Sequence, residues 1–200
     1  MENKTGDVLT KKFWYFILGI CIFLSIILGI SIYLFANREE EVIEKNENGG
    51  QITLNYTNNV TGLNLMNITP VTDSVAIKDL TDQHYFDFFI DVDLKEAASI
   101  EYEISAIKNT KESTILDDDI RIYLEKEQSG TYTKVFGPSK YSPLKSDSKL
   151  GSSKGSMVLL KTKALKSSKD NYRLRMWLSD QSLTPSGNYS IDIVVNGIAK

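Results

Sequence analysis

Cysteine and histidine are almost absent from this chain. Cys21 is the only cysteine and His84 the only histidine among 200 residues. One cysteine cannot form a disulfide within the chain, so the fold must rest on packing alone. A zinc site of the usual histidine or cysteine kind needs more ligands than the sequence contains. The 4 prolines and 12 glycines are too few for a fibrous or low-complexity chain.

The N-terminal part contains one long apolar run. Residues 13–35 are 23 consecutive side chains without charge. A helix of that length extends about 35 Å, and the hydrocarbon core of a bilayer is about 30 Å thick. Lysines precede the run and glutamates follow it, so we expect a single-pass protein of the plasma membrane with a cytoplasmic N-terminus and an extracellular C-terminal domain. Cleavage after Ala36 is the alternative.

The sequence predicts four consecutive parts. Residues 1–12 form a short basic cytoplasmic tail, and residues 13–36 form a transmembrane signal-anchor helix. Residues 37–50 form a charged and glycine-rich linker, in which the helix continues for a turn or two before a flexible stalk. Residues 51–200 form an extracellular domain that is long enough to bury a hydrophobic core.

Hydrophobic and polar side chains alternate through that domain. This period of two is typical of strands buried on one face, and it favours antiparallel sheets. We predict an all-β domain of eight to ten strands, an antiparallel β-sandwich with immunoglobulin-like or jelly-roll topology. Glycine and proline predict a hairpin turn at Gly130, the end of a strand at Gly137-Pro138 and a long loop over residues 138–156. The clearest inward positions are Phe86, Phe88, Ile90, Val92, Leu94, Ile100, Tyr102, Ile104, Ala106, Tyr172, Leu174, Met176, Leu178, Tyr189, Ile191, Ile193 and Val195.

A row of three side chains on one predicted strand is a candidate binding site. Arg173, Arg175 and Trp177 recur at every second position and therefore project from one face. A guanidinium group beside an indole can bind a carboxylate, a sugar or a phosphate. The alternative is a cross-strand ladder in which acidic side chains of a neighbouring strand pair with the arginines.

The charge of the domain is unevenly distributed. Residues 79–127 contain 14 acidic and 5 basic side chains, whereas residues 140–169 contain 8 lysines and 1 acid, which gives net charges of −9 and +7. This asymmetry predicts attraction to opposite charge, either on another copy of the chain or on an anionic cell-wall polymer. A solvated loop is the alternative, and nucleic-acid binding would require more aromatic side chains. The candidate lysines of the loop are Lys140, Lys145, Lys149 and Lys154.

Acidic side chains suggest two further hypotheses. Asp117, Asp118 and Asp119 could help to hold Ca²⁺, although three adjacent acids before a strand are usually solvated. A surface hydrolase could use Asp87, Asp91 or Glu101, but only if one carboxyl group had a raised pKa in a cleft. Serine–histidine–aspartate catalysis would have to run through His84 without a recognisable nucleophile motif. The sequence therefore predicts no cofactor, and it identifies no small-molecule substrate.

The layout resembles envelope β-sandwich proteins of Gram-positive bacteria, such as camelysin and the subunits of biofilm-matrix fibres. The resemblance covers the basic N-terminus, the apolar helix, the all-β domain, the turn at residues 68–70 and the closing strand at residues 187–193. Camelysin-type members have been described as proteases, but no motif here can be mapped residue by residue. We expect a cell-surface protein with a non-catalytic structural or binding role in adhesion or assembly. An accessory or sensor subunit of an envelope complex is the alternative.

Overall fold

The computed structural model describes residues 41–43, 49–56, 61–78 and 84–200, all within the unit Glu40–Lys200. The predicted tail and transmembrane helix, residues 1–36, lie outside the described residues. Among the residues that are described, no helix is long and apolar enough to cross a membrane.

Ten strands and one short helix make up the described part of the chain. Every pairing between these strands is antiparallel. Helix α1 (Asp73–Ala76) lies between the third and fourth strands. The strands are β1 (Glu41–Ile43), β2 (Gln51–Tyr56), β3 (Gly62–Ile68), β4 (Tyr85–Asp93), β5 (Ile100–Lys108), β6 (Ile120–Gln128), β7 (Thr131–Ser139), β8 (Met157–Ala164), β9 (Ser168–Leu178) and β10 (Gly187–Ala199).

The strands form two sheets that share one hydrophobic core. The six-stranded sheet has the order β1-β2-β4-β9-β6-β7, and the four-stranded sheet has the order β3-β10-β5-β8. Side chains of both sheets contribute to the same buried cluster, for example Ile90 and Leu174 of the first sheet and Ile104 and Ile193 of the second. The predicted all-β domain with antiparallel sheets in a sandwich arrangement is therefore confirmed.

The period of two in the sequence corresponds to the burial of the strands. In β9, Tyr172 and Leu174 are completely buried on the core side, and in β10 Tyr189 and Ile191 are as well. All the inward positions predicted from the sequence belong to the core. Successive side chains of a strand point to opposite faces, so the alternating hydrophobic residues of each strand come together between the sheets.

Two polar side chains of β5 are buried although they lie on the face opposite the hydrophobic core. Glu103 and Ser105 alternate with the core residues, as expected, yet each is only 1% exposed. The reason is that the loop between β7 and β8, residues 140–156, covers the outer face of the four-stranded sheet and contacts both side chains. The alternation alone gives no information about a loop that returns from elsewhere in the chain.

The prediction that β7 ends at Gly137-Pro138 is wrong. The strand continues to Ser139, which lies opposite Ile122 of β6. β7 is at the edge of its sheet, so the backbone N–H that Pro138 lacks is not needed for a second ladder. Gly137 has φ +78°, and a Cβ atom there would overlap the carbonyl oxygen of Ile122.

β1 lies inside the segment predicted as a linker. The backbone of Glu41–Ile43 pairs with β2, with Val42 opposite Thr53. The helical continuation expected after residue 36 is therefore wrong at these three residues. Pairing with β2 gives their backbone groups partners that an isolated extended stalk would lack.

Candidate functional site

Arg173 is held by a carboxylate and two aromatic rings on the outer face of the six-stranded sheet. Its Nε and a terminal guanidinium nitrogen donate to the two carboxylate oxygens of Asp87 on β4, each over 2.7 Å. The guanidinium carbon lies 4.2 Å from the centre of the Tyr85 ring and 4.3 Å from that of Tyr132. Hydrogen bonding to Asp87 raises the pKa of Arg173. This bidentate geometry is the strongest that an arginine forms with a carboxylate.

Arg175 forms a buried ion pair on the same face. Its Nε donates to Oε2 of Glu125 on β6 over 2.9 Å, and the two side chains are only 5% and 8% exposed. Arg175 also lies near the Tyr85 ring, 5.5 Å from its centre. Both arginines therefore form the cross-strand ladder that the sequence offered as the alternative to ligand binding.

Trp177 lies beneath helix α1. It is 2% exposed and forms a small hydrophobic cluster with Tyr123 and Ala76. Its indole Nε1 donates to the Asp73 carboxylate over 2.9 Å. The sequence placed Trp177 on the correct face of β9, but that face is covered at this end of the strand. The short helix carries no periodic signal, since it has only 4 residues.

The three consecutive aspartates contact different partners. Asp117 accepts hydrogen bonds from Lys108 Nζ over 2.5 Å and from the Tyr189 hydroxyl over 2.8 Å. Asp119 accepts one from the Thr184 hydroxyl over 3.0 Å. In the described ranges, no group of three or more His, Cys, Asp or Glu side chains could hold a metal ion. The three aspartates therefore do not form the shared set of ligands that the calcium hypothesis requires.

Asp118 is paired with one of the candidate lysines. Lys140 Nζ lies 2.6 Å from a carboxylate oxygen of Asp118, and both side chains are exposed, at 58% and 74%. Hydrogen bonding to Lys140 lowers the pKa of Asp118. Lys140 thus connects the loop 140–156 to the segment before β6, although a pair this exposed adds little stability.

The loop 140–156 is attached to the four-stranded sheet through Glu103. The Oε1 atom of Glu103 accepts hydrogen bonds from the Ser148 hydroxyl and from the Ser152 backbone N–H, the latter over 3.1 Å. Asn196 on β10 donates to the Ser152 hydroxyl over 3.2 Å, and the hydroxyl groups of Ser105 and Ser152 also hydrogen bond. A buried carboxylate therefore organises the centre of the loop.

The ends of the same loop are fixed by backbone and apolar contacts. Tyr141 is 4% exposed, and its hydroxyl donates to the Gly155 carbonyl over 2.7 Å. The Leu144 N–H donates to the Ser156 carbonyl over 2.7 Å, and the Gly155 N–H to the Leu144 carbonyl over 3.0 Å. Leu150 is buried at 5% exposure. The loop consequently presents Lys145, Lys149 and Lys154 to solvent from a defined backbone.

The acidic and basic segments of the chain lie side by side. Across the β5–β8 ladder, Glu101 is opposite Lys163 and Glu103 is opposite Lys161. Lys200 Nζ is 2.8 Å from a carboxylate oxygen of Glu101, and this contact lowers the pKa of Glu101. Part of the charge asymmetry read from the sequence is therefore compensated within one chain.

His84 immediately precedes β4. Its carbonyl oxygen accepts a hydrogen bond from the Met176 N–H over 3.3 Å. The residue thereby extends the pairing between β4 and β9 by one position.

Comparison with protein-family models, with curated proteins and with solved structures gives no match. The resemblance to Gram-positive envelope proteins stays a prediction. Function must therefore be argued from the two outer sheet faces described above.

Proposed function

We propose that this chain is a membrane-anchored cell-surface protein whose β-sandwich domain has a structural or binding role, in adhesion or assembly, and no catalytic one. In this proposal, residues 13–36 form a single transmembrane helix, the N-terminus is cytoplasmic and the domain is extracellular. The support is the 23-residue apolar run with lysines before it and glutamates after it.

We infer a jelly-roll topology for β3–β10. The orders β4-β9-β6-β7 and β3-β10-β5-β8 support this alternative over the immunoglobulin-like one. Two Greek keys folded together place their strands in this order, with consecutive strands on opposite sheets except for the β6–β7 hairpin. A shared topology does not determine function, which depends instead on the side chains of the outer faces.

The observation that carries the binding role is that two of the three candidate catalytic acids, Asp87 and Glu101, are held by cations. Asp87 forms a bidentate pair with Arg173, and Glu101 pairs with Lys200. A general acid in a hydrolase needs a carboxyl group whose pKa is raised. The pKa of Glu101 is lowered instead, because Lys200 stabilises the ionised form. These acids support a charged surface better than they support a proton donor.

Fractionation of cells that express the full chain tests the anchor. We expect the protein in the membrane fraction after washing with high salt and with alkali, and in solution only after detergent. Protease added to intact cells should cleave the domain and spare the tail. Replacement of Leu24 and Ile27 by arginine should release the protein, because a charged side chain at the centre of a bilayer is costly. Replacement of Ile107 and Leu165, two exposed residues of the domain, is the matched control.

The anchor proposal fails if the unmodified protein is recovered in the soluble fraction with residues 1–36 still attached. N-terminal sequencing of the recovered protein shows whether these residues are present. A soluble form that begins at residue 37 would instead identify the apolar run as a cleaved signal and would also contradict the anchored form.

A further inference from the structure

We propose that the outer face of the four-stranded sheet binds a linear phosphodiester polymer through a basic platform formed by Lys145, Lys149, Lys154, Lys161 and Lys163. This inference rests on the proposed function, in that the domain must face the cell envelope, and it names the ligand class of the binding role. The lysines are the exposed cations of strand β8 and of the loop 140–156, except Lys140, which pairs with Asp118.

Within the described residues, the lysines of the basic platform form no close ion pair, although Asp147 lies in the same loop and Glu103 and Glu101 lie opposite Lys161 and Lys163. Among the described residues, six carboxylates form close ion pairs, and their partners are Arg173, Arg175, Lys108, Lys126, Lys140 and Lys200. In the same part of the chain, no ion pair within 4 Å reaches a lysine of the basic platform. The positive charge of these side chains is therefore available to an external anion.

The lysines of the basic platform lie on one side of one sheet. Lys161 and Lys163 are opposite Glu103 and Glu101 and share their outward direction, because facing residues of an antiparallel pair project to the same side. The loop is bonded to that same side through Glu103. The strand lysines and the loop lysines thus border a single surface.

The loop 140–156 is already ordered before any ligand binds. Glu103, the Ser148 hydroxyl and the Ser152 N–H hold its centre, and Tyr141 and Leu150 are buried beneath it. Binding then has to immobilise only the lysine side chains and not the backbone. A smaller loss of conformational freedom on binding leaves more of the electrostatic attraction as affinity.

The chemistry of the surface favours a phosphate polymer over a nucleic acid. Lysine ammonium groups bind phosphate as point charges, and several of them in succession favour a chain with a charge in every repeat. Single-stranded nucleic acids also need exposed aromatic rings for base stacking. The aromatic ring within this loop, Tyr141, is buried. The basic platform offers charge without a stacking surface.

The test measures binding of synthetic poly(glycerol phosphate) to the full-length protein in an uncharged detergent, by titration calorimetry at low salt. The triple variant K145Q/K149Q/K154Q should bind about tenfold more weakly, since each exposed ion pair contributes a factor of about 1.4 to 5. The matched control is K78Q/K111Q/K134Q, which removes three exposed lysines from other parts of the surface. It should bind like the unmodified protein. Affinity should fall steeply at about 0.3 M salt, and inorganic phosphate should not compete at equal phosphate concentration.

A second pair of variants tests the role of the ordered loop without changing any charge. S148A removes the hydroxyl group that donates to Glu103 and accepts from the Leu150 and Ser152 N–H groups. It should weaken polymer binding severalfold while the strand signal in circular dichroism stays unchanged. S146A, an exposed serine two residues away, is the control and should bind normally.

Three results would overturn the proposal: no binding by the unmodified protein, an equal loss in both triple variants, or normal binding by S148A.

A lipid experiment uses vesicles of phosphatidylcholine and phosphatidylglycerol in equal amounts, added to detergent-free protein in nanodiscs. Stronger lysine-dependent binding to the vesicles than to the polymer would assign the surface to a membrane and would contradict the proposal. If the polymer does not bind but fractionation still recovers the protein in the membrane, only this inference fails and the proposed function stands. The two failures are therefore distinguishable.

Discussion

Removal of the Glu125 carboxylate should destabilise the domain strongly. In the Glu125→Leu variant, the Arg175 guanidinium stays at 5% exposure and loses the oxygen that lies 2.9 Å from its Nε. Breaking a buried ion pair by removing one partner typically costs about 3–5 kcal/mol. Arg175 keeps its position near the Tyr85 ring, so we expect the lower end of that range.

Urea unfolding of the full-length protein in an uncharged detergent measures the effect, with circular dichroism as the signal. The free energy of unfolding should fall by about 3 kcal/mol with little change in the dependence on urea. Glu96→Leu changes an exposed glutamate and is the matched control; it should stay within about 0.5 kcal/mol.

The double variant Glu125→Leu with Arg175→Met separates the two possible causes of that loss. If the cost arises from an uncompensated buried charge, removing the charge as well should restore most of the stability, because apolar replacements of a buried pair are often neutral or better. The reasoning is refuted if Glu125→Leu costs less than about 1 kcal/mol, or if the double variant is less stable than the single one.

Three other predictions concern stability. Gly137→Ala places a Cβ atom at φ +78° against the Ile122 carbonyl oxygen. It should lower the urea midpoint more than Gly130→Ala, whose added Cβ atom meets open space. Equal midpoints of the two variants would contradict this. Asp73→Ala removes the hydrogen-bond acceptor of the Trp177 indole. It should lower the free energy of unfolding by about 1–2 kcal/mol and shift the tryptophan emission. Ser74→Ala, the control, should change neither the stability nor the emission. Burial raises the pKa of Tyr172 and Tyr189, while the unfolded chain ionises tyrosine near 10. Stability should therefore be complete below about pH 10 and decline above it, by about 1.4 kcal/mol per pH unit per tyrosine; unfolding curves that are unchanged up to about pH 11 would refute this assignment.

The core could be predicted from the sequence because its signal is local. Phe88 in β4, Leu174 in β9 and Ile191 in β10 each belong to a run in which every second residue is apolar, and one buried face is sufficient to produce it. The ends of strands are harder to predict from the sequence. A glycine or proline that would stop a central strand is tolerated in a strand at the edge of a sheet, as Pro138 is in β7.

The candidate sites could be predicted only in part, because what covers an outer face comes from distant segments. Arg175 and Trp177 have the alternation of solvated residues, but Glu125 and the helix α1 enclose them. Glu103 is buried by a loop that begins 37 residues later in the chain. A paired acid or an overlying loop does not change the sequence pattern of the strand that it covers. These contacts therefore become visible only in the three-dimensional structure.

The position of β10 between β3 and β5 has a consequence for the order of events during synthesis. β10 is the last of the ten strands in the chain, yet it holds together the two parts of the four-stranded sheet. Until Gly187–Ala199 has been made, β3 has no neighbour in that sheet and the core lacks the buried side chains of β10. The four-stranded sheet can therefore close only after β10 has been made, in one long-range step, which is a slow kind of folding.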